Sequence, residues 1–511
     1  MTMDNKPQSY TALAMNTLAF TVCFAAWMLN GVLVTFLVDR GIFQWNAAQI
    51  GWLMGIPVLT GSIMRFPLGI LTDKFGGKPI FTTLLLLSAI PMFLLSTANS
   101  YTEFFIYSLG FGLTGASFAV GIAFTSVWFD REHQGTALGI FGAGNAGAAV
   151  TTMLAPSLLR WLTNYGENLD NWRRLPVIYA AALALMAALF FFFTRNRKPV
   201  GQRTLRQMVS PLKHVRVWRF GLYYFLVFGG FVALSQWLVP YYVNVYAMSI
   251  VTAGLLATTF SLPSGVIRAL GGWLSDKFGA RAVMYWVLGL TALASFLLIF
   301  PKMDIVSPGS GVMAKQEGIV TAVSDTEVKV GDTVYTLTPP AEKNFSDNDL
   351  LLLPVINTWQ EPKVQVGQNV AKRELLAQGV THIYFQANVW IFTLLVFVIG
   401  ITMGIGKAAV YKYIPDYFPQ EVGTVGGTVG VIGGLGGFVC PIIFGYLLNA
   451  IGLWTTTWIF FFGVSLVCLV WLHLVVRSLA KVDSVRVHQM AIEPVPPAGV
   501  VKPASRALAS E

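Results

Sequence analysis

Two arginines set the chemistry this chain can do. Arg65 opens the run Arg65-Phe-Pro-Leu-Gly-Ile-Leu-Thr-Asp73-Lys74-Phe-Gly76, and Arg268 opens Arg268-Ala-Leu-Gly-Gly-Trp-Leu-Ser-Asp276-Lys277-Phe-Gly279, at an offset of 203 with seven identities in twelve positions. Each arginine precedes its aspartate by eight residues. On a helix that is roughly 12 Å, at about 1.5 Å per residue. Both guanidinia therefore fall deep in apolar sequence, and their equivalent positions in a repeat make them face each other. A charge at mid-membrane costs at least about 2.5 to 3.5 kcal/mol on insertion scales, so it persists where it lines a cavity or has a partner. Outside 302–386, every Asp and Glu lies at a segment end, in a loop or in a tail, among them Asp39, Asp73, Glu103, Asp276, Asp416 and Glu421. Two guanidinia without carboxylates call for a mobile anion, and their parallel donors suit a small planar oxyanion. The structural alternative is a pair of arginines bonded only to backbone carbonyls.

The elements that must position these residues are membrane helices. Of 511 residues, 55% are hydrophobic and 11% charged, against roughly 25% charged in a soluble domain. Twelve apolar segments centre near residues 24, 60, 88, 115, 147, 184, 231, 263, 291, 400, 436 and 465. The Met1–Tyr10 leader lacks a cleavage-site pattern, so the first segment is expected to be retained. Between segments six and seven, Arg195, Arg197, Lys198, Arg203, Arg206, Lys213, Arg216 and Arg219 run without an acid, which predicts a cytoplasmic linker and cytoplasmic termini. Orientation accounts for that basic stretch, so no nucleic-acid partner is expected. Cys23, Cys440 and Cys468 lie in apolar segments without pairing or metal-ligand spacing, so neither a metal nor another cofactor is expected.

A second landmark, Gly135-Thr136 with Gly139 and Gly142, recurs as Gly423-Thr424 with Gly427 and Gly430 at an offset of 288. About 85 residues were thus added between the landmarks in the second half. The addition is 302–386, with ten acids against seven bases, and by the topology it faces outside. The expected organisation is a six-helix bundle over 1–195, a basic linker over 196–216, and a second bundle over 217–301 and 387–480. The insertion occupies 302–386, and a disordered cytoplasmic tail covers 481–511. Such a repeat implies two pseudo-symmetric six-helix halves with a mid-membrane site at their interface. Residues 318–331 and 364–377 alternate apolar and polar side chains around glycine turns, which predicts a small β-domain. The second stretch resembles a strand pair of lipoyl- or biotinyl-type folds, without an evident lysine hairpin to carry a cofactor, so a structural or partner-docking module is expected.

Gly69-x-Leu-x-Asp73-Lys74-x-Gly-Gly-Lys78 and Gly272-x-Leu-x-Asp276-Lys277-x-Gly-Ala-Arg281 resemble the loop signature of the major facilitator superfamily. Gly142-Ala-Gly144-Asn145-Ala-Gly147 and the stretch from Gly427 to Phe438 look like the paired signatures of the nitrate/nitrite porter family. The resemblance implies an all-α fold of twelve transmembrane helices with the β-rich insertion outside. It also implies nitrate and nitrite as substrates, an inner-membrane location and a single chain as the transport unit. By the same resemblance, Asn145 donates its amide to the anion, and Tyr224, Phe228 and Phe118 contact or sandwich it. Tyr224 and Phe228 stand four apart, on one helix face. Gly142, Gly144, Gly147, Gly430, Gly433, Gly434, Gly436 and Gly437 are read as packing and sliding surfaces rather than ligands. Lys407, in Gly404-Ile-Gly-Lys407-Ala-Ala-Val-Tyr411, departs from the neutral residue expected in exchanger-like members. It is the candidate proton carrier, unless segment ten ends here and the side chain snorkels to the interface beside Lys412 and Asp416.

Energetics limits the mechanism. Bringing one negative charge into a negative-inside cell costs about 2.3 kcal/mol per 100 mV, so uniport drains the anion. Proton-coupled nitrate uptake is the expected mode, with electroneutral nitrate/nitrite exchange as the alternative. A transporter-like receptor with an external sensing domain is the reading from another class. No constellation for enzyme catalysis lies within reach of the arginines.

Overall fold

The computed structural model describes residues 6–129, 131–197, 213–300, 303–340, 355–385, 388–418 and 422–492. The linker residues Lys198, Arg203 and Arg206, insertion residues 341–354 and tail residues 493–511 lie outside the described residues. Each expected apolar centre falls within one span. The first half comprises α1 (Gln8–Asp39), α2 (Ala47–Phe75), α3 (Gly77–Thr97), α4 (Tyr101–Ser126), α5 (Thr136–Leu162) and α6 (Leu169–Phe193). The second comprises α7 (Val215–Tyr246), α8, α9 (Ala280–Leu298), α10 (Val389–Ile414), α11 (Val425–Ile451) and α12 (Thr456–Ser478). Span α8 is a bent pair, Ile250–Val266 and Arg268–Phe278, with a 49° angle between its parts. The helix of α12 continues to Ile492, so helix replaces the start of the tail expected to be disordered from 481. No proline interrupts it before Pro494.

The halves meet along α2 against α11 and α5 against α8, and glycines let the backbones touch. A Cβ on Gly51 would lie 2.3 Å from the carbonyl oxygen of Pro441 in α11, and one on Gly254 of α8 would lie 2.2 Å from that of Thr152 in α5. Within the second half, Gly400 and Gly404 of α10 face Phe260 and Ser264 of α8 in the same way. Close backbone approach of this kind is how small residues hold helices together where lipid supplies no hydrophobic drive. The signature glycines Gly144 and Gly147 press on α1, at Phe20 and at the backbone of Thr21, while Gly433, Gly436 and Gly437 press on α7 and Gly434 on Ser62 of α2.

Helical regularity changes at mid-span. Tight 3₁₀ turns occupy Gly112–Ala116 in α4 and Ala143–Ala146 in α5, and a π turn occupies Phe225–Gly229 in α7. In α2 and α8 the helix breaks at Met64 and at Ile267, so Arg65 and Arg268 each open the second part of their span. In α2 the break falls where Pro67 removes a donor from the ladder. Such interruptions mark functional positions in otherwise regular helices.

The insertion forms strands β1 (Met303–Met313), β2 (Gly318–Val323), β3 (Glu327–Val330), β4 (Thr333–Thr336), β5 (Val355–Pro362), β6 (Asn369–Val370) and β7 (Leu375–Phe385). They make a three-stranded sheet, β1-β7-β5, and a four-stranded sheet, β4-β3-β2-β6. Val320, Val328, Val330, Tyr335 and Leu376 form a core of its own, separate from the helical one. Because Met303 pairs with Phe385, the domain leaves beside where it entered.

Two outcomes follow from this packing. Gly147→Ala puts a methyl group 2.3 Å from the Thr21 carbonyl oxygen, whereas Gly139→Ala meets nothing within 4 Å. The first should lower the detergent melting temperature, as overpacking by about 1–3 kcal/mol does, and the second should leave it unchanged or raised; equal melting curves would refute the packing role. Replacing 303–385 by a short Gly/Ser linker should leave binding of nitrate, the ligand that the sequence signatures imply, within about twofold in the purified protein, since the ends already adjoin at strand spacing. Lost binding would show that the domain shapes the membrane site.

Candidate functional site

The breaks in α2 and α8 aim Arg65 and Arg268 at one aromatic ring. The guanidinium carbon of Arg65 stands 5.4 Å from the Phe118 centroid and that of Arg268 stands 5.7 Å from it. Phe118 lies in α4 just beyond the 3₁₀ turn. Phe228 stacks on Phe118 at 6.4 Å and lies 5.4 Å from Arg65. Tyr224 stacks on Phe228 at 5.0 Å with the rings 7° from parallel. The structure therefore gathers Arg65, Arg268, Phe118, Phe228 and Tyr224 into one connected group.

Hydrogen bonding there is incomplete. Arg65 is 5% exposed. It donates from Nη1 to the Gly430 carbonyl at 2.7 Å and from Nε to the Gly115 carbonyl at 3.4 Å. Its Nη2 is buried without a partner, as are Nη1 of Arg268 and both side-chain polar atoms of Asn145. Backbone carbonyls thus satisfy part of Arg65 and leave the rest open. Among the described residues, no carboxylate pairs with either arginine. Buried donors left unmade cost about 1–3 kcal/mol each, more when charged, so this arrangement favours an acceptor that enters and leaves. Aromatic walls suit a flat ligand, because ring faces can lie against it while the guanidinia and the amide bond its rim.

Two signature glycines differ from the packing role expected of the set. Gly142 of α5 faces Arg268, its absent Cβ 3.5 Å from Cδ, and Gly430 of α11 faces Arg65, its absent Cβ 3.9 Å from Nη1. These two are repeat equivalents, each beside the arginine of the opposite half, and at Gly430 the Tyr411 hydroxyl is nearer still, 3.0 Å from the absent Cβ.

Lys407 is fully buried, which removes the snorkelling alternative. Its Nζ donates to the Ser264 carbonyl at 2.8 Å and sits 3.4 Å from the Phe231 centroid. Ser264 lies one turn before Arg268 on α8, so this lysine touches the element that carries the second arginine. In the loop motifs, Gly76 and Gly279 adopt φ of +89° and +82°, turns that only glycine makes freely. Asp276 accepts from Lys412 of the α10 helix at 2.5 Å, and Lys74 and Lys277 lie over Phe75 and Phe278. Asp73 has a partner of its own.

Three site residues were not singled out from sequence. Tyr411 stands edge-on to Tyr224 at 5.0 Å and lies 5.3 Å from Arg268, with its hydroxyl donating to the Gly426 carbonyl. Its spacing of four from Lys407 was the available signal. Trp27 flanks Arg65 at 5.9 Å while bonding the Pro57 carbonyl, and Phe231 supports Lys407. Neither carries a pattern that separates it from core aromatics.

The chain matches the Major Facilitator Superfamily over residues 15–314 and 375–506. It is 38% identical to a protein described as "Probable nitrate/nitrite antiporter NarK1" of Thermus thermophilus, covering 94% of each chain. It is 25% identical to the "Nitrite extrusion protein" of Bacillus subtilis, over 87% of this chain and 89% of that one. Among solved structures, a bacterial homolog of the human lysosomal transporter Spinster aligns with a TM-score of 0.63 at 14% identity, over 93% of this chain and 98% of that one. The nucleoside transporter NupG aligns with a TM-score of 0.59 at 12% identity, over 91% and 99%. Those two likenesses concern the fold. With the repeat, the twelve spans and both glycine signatures in place, the chain belongs to the nitrate/nitrite porter family of the major facilitator superfamily.

Proposed function

We propose that this protein carries nitrate, and nitrite with it, across the cell membrane by alternating access, with nitrate uptake coupled to protons. The observation that carries the substrate assignment is the set of buried, unpartnered donors on Arg65, Arg268 and Asn145 beside the Phe118–Phe228–Tyr224 stack. A flat monovalent oxyanion completes those bonds. The relatives described as nitrate/nitrite transporters support the same ligand. Both termini lie in the cytoplasm in this reading, as the basic linker favours.

In the proposed cycle, the anion draws Arg65 of the first half and Arg268 of the second toward one ligand, and the halves then rock about it. Lys407 carries the proton. Its ammonium is held by the Ser264 carbonyl and the Phe231 face, and when the proton leaves, the amine keeps its place without the charge. Nitrate beside Arg268 offsets the local positive charge, so anion and proton bind cooperatively, and such linkage is reciprocal. A second reading, electroneutral exchange of nitrate for nitrite, is favoured by the description of the Thermus relative as an antiporter. It needs the arginine site and no proton carrier.

Replacing Arg65 or Arg268 by lysine keeps the charge and loses the fork. Nitrate uptake by proteoliposomes should fall by at least about a hundredfold, on the order of 3 kcal/mol for charge-assisted bonds. Wild-type rates in the double lysine variant, at equal reconstitution, would refute the site.

Lys407→Gln separates the two coupling modes. With the proton carrier, lower external pH tightens apparent nitrate affinity in the wild type, and Lys407→Gln abolishes both that response and accumulation driven by a pH gradient while retaining nitrate/nitrite exchange. Undiminished gradient-driven accumulation in Lys407→Gln would exclude the carrier role and leave exchange as the mode.

A further inference from the structure

A second group of unpartnered donors lies away from the central site, at the end of the second half where the basic linker joins. Arg219, Phe220 and Tyr223 of α7, Arg281 of α9, Tyr413 of α10, Tyr417 at the end of the same helix, and Leu472, Val475 and Val476 of α12 line one cleft. Arg219 is 7% exposed, and its Nε has no partner. The hydroxyls of Tyr223 and Tyr413 are likewise buried without partners. Arg281 donates to the Tyr417 hydroxyl at 3.2 Å, and Arg216 stands over the Tyr417 ring at 5.3 Å. Among the residues whose side chains are described, no carboxylate lines the cleft.

The set is guanidinia and phenol hydroxyls on one side and aliphatic carbon on the other. Buried donors call for an acceptor, and two guanidinia without a carboxylate call for an anion. The aliphatic wall is α12, whose Val470 and Leu474 are exposed on the outer surface of the bundle. A ligand that fits both sides has an oxyanion head and an apolar body. Basic pockets between helices at the cytoplasmic face take the head groups of acidic lipids for this reason. The corresponding crevice of the first half, lined by Gln8, Thr11, Trp128, Phe193 and Arg195, offers one arginine and no tyrosine.

We propose that this cleft is a binding site for the phosphodiester of an anionic membrane lipid, with the acyl chains lying along α12. The placement joins it to the transport machinery. Tyr223 and Tyr224 are neighbours on α7, one lining the cleft and the other the central aromatic stack, and Tyr413 and Tyr411 divide α10 in the same way. A lipid head in the cleft thereby braces the two helices that wall the anion site.

Native mass spectrometry of the delipidated, purified full chain tests the assignment, with phosphatidylglycerol, phosphatidylcholine or inorganic phosphate added. Phosphatidylglycerol should bind about tenfold more tightly than phosphatidylcholine. Arg219→Gln/Arg281→Gln should remove that preference. Tyr223→Phe/Tyr413→Phe keeps both charges, so it tests the site even if the arginine variant does not fold, and it should weaken phosphatidylglycerol binding several-fold. Equal binding of the two lipids, or an unchanged preference in the tyrosine variant, would overturn the proposal. Displacement of phosphatidylglycerol by millimolar inorganic phosphate would assign the cleft to a free oxyanion and overturn the lipid assignment.

Discussion

The Arg65 guanidinium gives Nη1 and Nε to the carbonyls of Gly430 and Gly115 and keeps Nη2 unpartnered, with no carboxylate paired to it among the described residues. That unfinished bonding is the constraint on which the rest of the centre depends. Full pairing by an aspartate would hold the charge cheaply and occupy the donors a substrate needs. No pairing at all would leave a bare cation in a dry site. The two carbonyls hold the fork in place, and the three aromatic rings around it, Trp27, Phe118 and Phe228, supply ring faces in place of water. The remaining donor is available to whatever anion arrives.

Symmetry sharpens the same point. Gly142 and Gly430 are repeat equivalents, and each faces the arginine of the other half. A Cβ at Gly142 would meet Arg268 at van der Waals contact, 3.5 Å from Cδ, whereas one at Gly430 would crowd the Tyr411 hydroxyl at 3.0 Å. The glycines one to two turns further along serve the helices instead, with Gly147 on α1 and Gly433 on Tyr224. Each glycine-rich signature therefore places one glycine beside an arginine, Gly142 or Gly430, and joins helices along the rest. Asn145 breaks the symmetry, because its equivalent is Gly433. The first half thus has a buried amide without a partner where the second has a close helix contact.

Much of this was legible in the sequence because it rests on repetition and on the cost of charge in lipid. The offset of 203 placed Arg65 and Arg268 together before any coordinate, and the absence of nearby acids is what led to the anion reading. Phe118, a residue with no special spacing, proved to be the ring both arginines share. What sequence could not supply was which aromatic faces inward. Among 37 phenylalanines, 15 tryptophans and 17 tyrosines, Trp27 and Phe231 are selected by helix rotation and packing against other spans, which are tertiary facts. The tail shows the converse, since a polar stretch after a membrane span reads as loose chain and here continues as helix until prolines approach.

The bend in α8 connects Arg268 to Lys407. Arg268 opens the second part of that span, and the Lys407 ammonium holds the carbonyl of Ser264 just before the break. Gly404, one turn before Lys407, lets α10 lie directly against Ser264. A lysine that loses its charge gives a weaker bond to that carbonyl, because charge-assisted bonds are about twice as strong as neutral ones. In the proposed cycle, loss of the proton would let the bend relax and Arg268 move with it. Protonation and anion position would then be two inputs to one hinge, the proton acting on the nitrate through the angle at which the second arginine is presented.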